Sequence, residues 1–267
     1  MGYKIERLMD VALKKRKAER VLKNCRVVNV FSGEIEEGDV ALQDGYIAGV
    51  GRFDGIEEED LGGKIVCPGF IDSHVHIESA MVTPPVFASV VVARGTTSVI
   101  ADPHEIANVL GAAGIEYMIR SSRDLFLTVH VMVPSCVPAT SFETSGAEIS
   151  SRDIKDLLGR EGILGLGEMM NYPGVLAGDP EVLAKISAAA GRIIDGHGAG
   201  LSGDGLNAYR LAGITTDHEC INAEEAKERV RLGMYVAIRE GTAARNLESL
   251  LPAVNRDNCW YFMFCTD

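Results

Sequence analysis

Two hydrophobic rhythms divide the chain near Pro68. Before it, the runs Val27-Val28-Asn29-Val30, Val40-Ala41-Leu42 and Ile47-Ala48-Gly49-Val50 are separated by Ser32-Gly33, Glu37-Gly38-Asp39 and Asp44-Gly45. Turn residues this closely spaced predict short antiparallel strands, and the acidic stretch 57–60 predicts an exposed turn. After Pro68, eight apolar, β-prone runs follow: 69–77, 96–102, 125–132, 163–169, 192–197, 214–218, 235–240 and 261–267. Helix-like stretches lie between them at 105–121, 180–190, 223–232 and 242–254. Asp179 is placed to cap the second of these, and Pro180 suits its first helical position. Strands alternating with helices predict parallel β/α units. Eight such units in roughly 200 residues predict a closed (β/α)8 barrel rather than an open sheet. The fold class is therefore α/β: a TIM-like barrel over 67–267, preceded by a small β-rich region over 1–66.

Composition narrows the function class. Of 267 residues, 46% are hydrophobic and 24% charged, with a net charge of −12. There is ample material for a large core, and an acidic balance argues against nucleic-acid binding. The longest apolar run, 86–93, is broken by Ser89 and falls far short of the ~20 residues that span a bilayer. No apolar stretch follows the basic N-terminus, so a cytoplasmic protein without membrane contact is expected. Residues 1–26 hold nine Lys and Arg against three acids. Ile5, Leu8, Met9, Ala12 and Leu13 recur there at helical spacing. This predicts a basic amphipathic helix docking on its own acidic protein. The six cysteines form no C-x-x-C pair and are read as buried, reduced thiols.

The ends of the predicted barrel strands carry the chemistry. Strand one offers His74 and His76, strand two Asp102 and His104, and strand four Glu168. Strand five offers His197, strand six His218 and strand eight Asp267. Active sites of such barrels lie at the C-terminal strand ends. His74 and His76 are two apart on a strand, so both imidazoles point to one side, into the barrel. With Glu168, His197, His218 and Asp267 they make six ligands. That number suits two divalent ions about 3.5–4 Å apart with a bridging carboxylate. Asp267 is placed to take or relay a proton from an attacking water. Asp102 and His104 are candidates for a second proton relay or for orienting a ligand; alternatively, Asp102 caps the helix that follows. His130, inside strand three, is left unassigned. The P-C-x-x-C partner of the small zinc deaminases is absent, as are a P-loop, a dinucleotide fingerprint and G-x-S-x-G.

The segment Pro68-Gly69-Phe70-Ile71-Asp72-Ser73-His74-Val75-His76-Ile77-Glu78-Ser79 resembles the opening of the amidohydrolase superfamily. Ile100-Ala101-Asp102-Pro103-His104-Glu105-Ile106-Ala107-Asn108-Val109 resembles, more narrowly, the adenine deaminase family. So do Pro134-Ser135-Cys136-Val137-Pro138, Gly167-Glu168-Met169-Met170-Asn171, Leu201-Ser202-Gly203, Asp217-His218-Glu219-Cys220 and Arg239-Glu240-Gly241. The resemblance implies an amidohydrolase-type barrel and hydrolytic deamination of adenine to hypoxanthine and ammonia. It implies a binuclear site holding Mn2+ or Fe2+, with Zn2+ as the alternative. Carried over residue by residue, His74, His76, Glu168, His197, His218 and Asp267 match metal positions, and Asp102 and His104 match a polar pair beside them. Glu168 separates the chain from the branch in which a carbamylated lysine bridges the metals. Asn171, Arg239 and Glu240 are candidates for reading the substrate edge. Where relatives read His-Ala-Pro-Gly, this chain reads His197-Gly198-Ala199-Gly200, which predicts a looser loop.

Family members continue beyond the position of Asp267 with a second aspartate, a final helix and a further β-rich domain. The expectation is thus of a barrel that lacks its last helix, forms homo-oligomers, or takes a second chain as partner. Two other readings stay open. One is a related amidohydrolase acting on another purine or a cyclic amide. The other is an inactive barrel serving as a binding or assembly subunit.

Overall fold

A computed structural model describes residues 2–140 and 142–267. Two compact units emerge, 1–68 and 69–267. The first holds helix α1 (Gly2–Ala12) and strands β1 (Ala18–Asn29), β2 (Glu34–Gln43), β3 (Tyr46–Gly51), β4 (Gly55–Asp60) and β5 (Ile65–Val66). β1, β2 and β3 pair antiparallel, as predicted. The rest of this sheet departs from expectation, because β4 and β5 run parallel to β1. The acidic stretch 57–60 belongs to strand β4 and is not a turn. Its exposed carboxylates mark a sheet edge, where charge discourages pairing with another chain. Buried Asp39 ties the layers together: it accepts the N–H groups of Asn24 and Phe53 and pairs with Lys23 at 2.8 Å.

Helix α1 packs through Val11, which is fully buried with Ala18, Val21, Ala41 and Phe53. The predicted apolar stripe is not the buried face: Ile5, Met9 and Leu13 are more than half exposed. The basic edge does find partners in its own unit. Arg7 pairs with Asp44 at 2.8 Å, and the Lys4 ammonium lies 4.4 Å from the centre of the Tyr46 ring.

The second unit is the barrel. Strands β6 (Phe70–Val75), β7 (Thr96–Ala101), β8 (Thr128–Val133), β9 (Ile163–Met169) and β10 (Ile193–Gly196) form one parallel sheet. Strands β11 (Thr216–Asp217), β12 (Tyr235–Arg239) and β13 (Phe262–Cys265) form a second. Backbone bonds join the two sheets into a ring. The Thr215 N–H donates to Ile194 C=O and the Asp267 N–H to His74 C=O, both at 3.0 Å. The Asp72 carboxylate adds a clasp by accepting the N–H and hydroxyl of Thr266.

Helices α2 (Pro84–Val92), α3 (His104–Leu110), α4 (Ala112–Ser121), α5 (Ser151–Leu158), α6 (Tyr172–Ala177), α7 (Pro180–Ala188), α8 (Gly203–Leu211), α9 (Ala223–Arg231) and α10 (Leu247–Leu250) lie between the strands in sequence. Side chains such as Ile154, Leu166, Leu206 and Ile214 are sealed between helices and strands. Asp179 caps α7 by accepting the N–H groups of Glu181 and Val182. The stretch 105–121 is two helices, broken where Gly111 adopts φ 59° and ψ −142°, a conformation that favours glycine. The stretch 242–254 is helical only in α10 and the following 3-10 turn Leu251–Ala253. Four cysteines are buried, whereas Cys67 and Cys259 are exposed; all six are free. Among the described residues no helix is long and apolar enough to cross a membrane.

Candidate metal centre

Period-two alternation carries the His74 and His76 rings to one side of β6, as the sequence predicts. Both are buried, with their Nε2 atoms 3.1 Å apart. Their other nitrogens are spoken for. His74 Nδ1 lies 2.8 Å from Asp195 Oδ2, and His76 Nδ1 lies 2.7 Å from the Asp102 carbonyl oxygen. A carbonyl can only accept, so His76 carries its proton on Nδ1, and the Asp195 carboxylate sets His74 the same way. Two Nε2 lone pairs then face each other at 3.1 Å. That arrangement is repulsive unless a proton sits on one of them or a metal cation lies against both.

Glu168 stands opposite, buried at the end of β9. Its Oε1 lies 3.1 Å from His104 Nδ1 and 3.5 Å from His76 Nε2. Its Oε2 lies 2.6 Å from His197 Nδ1 and 3.2 Å from His218 Nε2. One carboxylate thus faces two groups of imidazoles, one with each oxygen. Asp267 Oδ1 lies 3.5 Å from His74 Nε2 and 3.4 Å from His76 Nε2, while its Oδ2 accepts from Arg239 at 3.1 Å. All eight residues singled out from the sequence therefore meet in one place: His74, His76, Asp102, His104, Glu168, His197, His218 and Asp267. His130 does not join them; it is exposed on β8.

The donor set fits divalent ions. His218 is 1% exposed, yet neither of its nitrogens has a hydrogen-bond partner of good geometry. A buried imidazole left unpaired is costly, and ligation of an ion removes that cost. Local electrostatics favour positive charge. Burial opposes a charge on His76, but hydrogen bonds to Asp267 and Glu105 and the field of Asp102 push it up to about 12. Burial likewise opposes His104, and Glu168 and Asp102 push it up to about 9. Against burial, the surrounding histidines hold Glu168, Asp195 and Asp267 well below the usual carboxylate range.

Asp102 is no helix cap. The α3 N-cap is Pro103, without a side-chain bond, and Asp102 Oδ2 accepts the Glu168 N–H at 2.8 Å. Burial and the nearby Glu168 charge raise Asp102 to about 6. Gly167 makes room for this approach, because a Cβ there would lie 2.1 Å from Asp102 Oδ2. The candidate substrate readers have structural partners. Asn171 caps α6 through the Gly174 N–H, and Glu240 accepts the Leu247 N–H. Arg239 holds Asn246, Glu219 and Asp267.

The loop after His197 is pinned rather than loose. Arg229 and Asp217, both fully buried, pair at 3.1 Å; Arg229 also donates to Gly198 C=O at 2.6 Å, and the Gly198 N–H donates to Asp217. Three neighbours of the centre were not singled out in the sequence: Asp195, Glu105 and Glu219. Glu219 lies 3.9 Å from His218 Nε2 and 4.0 Å from His197 Nδ1. A signal for Asp195 existed, since it stands on β10 two residues before His197, which follows the end of that strand.

Residues 65–259 match the model of the amidohydrolase family. The chain belongs to that family. It is 54% identical to adenine deaminase of Clostridium acetobutylicum over 99% of its own length and 47% of that enzyme's. It is 51% identical to adenine deaminase 2 of Carboxydothermus hydrogenoformans, over 98% of the chain and 46% of that protein. The chain thus spans about half the length of the curated relatives it matches. Among solved structures it resembles atrazine chlorohydrolase TrzN from Arthrobacter aurescens complexed with zinc (TM-score 0.65, 17% identity, covering 92% of this chain and 71% of that one). It also resembles D-hydantoinase from a Thermus species (TM-score 0.57, 14% identity, covering 82% and 57%). At such identities the likeness is one of fold, and both are barrel hydrolases in keeping with the parallel strand ring.

Proposed function

We propose that this barrel is the catalytic part of an adenine deaminase, which hydrolyses adenine to hypoxanthine and ammonia at a binuclear Mn2+ or Fe2+ centre. The observation that carries the reading is the Glu168 carboxylate set between two groups of imidazoles, in a chain half identical to curated adenine deaminases. His74, His76 and Asp267 would hold one ion and His197 and His218 the other, with Glu168 shared. Ions there supply Lewis acidity and lower the pKa of water toward neutrality.

The chain's own groups do the rest. Asp267, kept ionised and clamped by Arg239, takes a proton from water as its oxygen adds to the amine-bearing ring carbon. That proton then goes to the amino nitrogen as the carbon–nitrogen bond breaks, and ammonia leaves. Asp102 positions Glu168 through its backbone N–H, and His104 flanks the same carboxylate.

The test is ammonia release from adenine by the whole natural chain loaded with Mn2+ or Fe2+, beside a panel of other purines and cyclic amides. Turnover of adenine above all others is expected. Turnover of another member with adenine inert overturns the substrate, and metal-loaded protein inert on every member overturns the activity. The same preparation, sized by light scattering, reports whether the protein is a homo-oligomer or carries a second chain.

A further inference from the structure

His74 and His218 come from opposite parts of the ring, yet their imidazoles stack, with centroids 3.9 Å apart and planes inclined by 24°. Stacking aligns their edges. Both Nε2 atoms face the Glu168 and Asp267 side, and both Nδ1 atoms face Asp195 on β10. Asp195 Oδ2 lies 2.8 Å from His74 Nδ1 and 3.6 Å from His218 Nδ1, the second beyond hydrogen-bond range. Its other oxygen is fully occupied, accepting the Gly196 N–H at 2.9 Å and the Thr216 hydroxyl. Those two bonds leave Oδ2 free for the imidazole edges alone.

We propose that Asp195 is a positioning residue shared by the two halves of the centre, which fixes the tautomer and tilt of His74 and steadies His218 so that both present Nε2 to divalent ions. The inference rests on the metal reading above and adds a residue outside the ligand set. A carboxylate behind a ligating imidazole holds the ring and makes its free nitrogen more basic. Sharing one carboxylate between two stacked rings ties the first half of the site to the second. Thr216 acts one step further back, since its hydroxyl orients Asp195. His76 differs, because the nearest partner of its Nδ1 is a backbone carbonyl at 2.7 Å, with the Glu105 carboxylate further off at 3.5 Å.

Asp195→Asn keeps size and shape, and its carbonyl can still accept from Gly196 and Thr216. It replaces Oδ2 with an amide that repels the Nδ1–H of His74. In the whole natural chain, Mn2+ titration calorimetry is expected to show affinity weakened about 10–100-fold. The chelator-treated variant is expected to melt cooperatively, as the wild type does, showing that it is folded, and Asp195→Glu should recover part of the affinity. Asp195→Asn binding Mn2+ as tightly as the wild type overturns the proposal while leaving the metal reading intact. Wild-type protein that binds no divalent ion overturns both. If Asp195→Asn does not fold, Thr216→Val decides: a smaller loss in the same direction supports the proposal, and unchanged affinity overturns it.

Discussion

Glu168 concentrates more of the chemistry than any other single side chain. Its two oxygens face His76 with His104 and His197 with His218, so its negative charge is placed to offset a cation on either side. Glu168→Gln keeps the shape but removes the charge. Elemental analysis of the purified variant is expected to show loss of at least one divalent ion per chain, with deamination abolished. Full metal content and full activity would remove Glu168 as the bridge. At the same scale, strand alternation sets His74 and His76 to one side, which local sequence encodes, while Glu168, His197 and His218 stand singly at or just past the ends of other strands. Asp195 escaped that reading because an aspartate on a strand has many roles, and only its 2.8 Å approach to His74 selects one.

Elements are held by a few polar devices whose loss can be measured. Arg229 of α9 and Asp217 of β11 are fully buried and pair with each other; Arg229 also donates to Gly198 C=O, and Asp217 accepts the N–H groups of Gly198 and Glu219. Arg229→Met leaves Asp217 charged, buried and without its cation, at a cost of about 3–5 kcal/mol. A urea-denaturation midpoint that stays at the wild-type value would show the pair to be dispensable. The break between α3 and α4 depends on Gly111. Gly111→Ala forces a side chain into its positive-φ conformation, 3.1 Å from the Ala147 Cβ, and should cost about 1–3 kcal/mol by the same measurement. A neutral result would mean the backbone there relaxes freely. Helix α5 starts with a capping box, in which Ser150 and Asp153 exchange bonds. Ser150→Ala should therefore cost about 0.5–2 kcal/mol.

Over the whole barrel, the clustered histidines couple stability to pH. In metal-free protein the neighbouring carboxylates push His104 up to about 9 and His76 up to about 12, both above the ordinary value of about 6.5. A histidine raised in this way stabilises the folded state fully below about pH 6.5, and that contribution is lost as pH rises through the folded value. Chelator-treated protein is therefore expected to unfold at lower urea concentration as pH goes from 6.5 to 9.5. Protons and metals compete for the same nitrogens, so Mn2+ affinity should rise across the same window. A denaturation midpoint that is flat or rising with pH in the chelated protein would mean these histidines are not charged there.

The sequence by itself determined the alternation of eight strands with helices and the chemistry at the strand ends, because both follow from periods of two to four residues. It also determined the capped start of α7, where Asp179 reaches the N–H groups of Glu181 and Val182 two and three positions on. Tertiary structure alone decided three things. It made the acidic stretch 57–60 a strand, because β1 lies alongside to accept it in parallel register. It turned α1 onto Val11 and left Ile5, Met9 and Leu13 exposed. It also set Asp195 behind His74, 121 positions away along the chain, and Arg229 behind the loop after His197. Each of these is a contact between segments far apart in the chain, and no local period carries information about which distant partner a residue will meet.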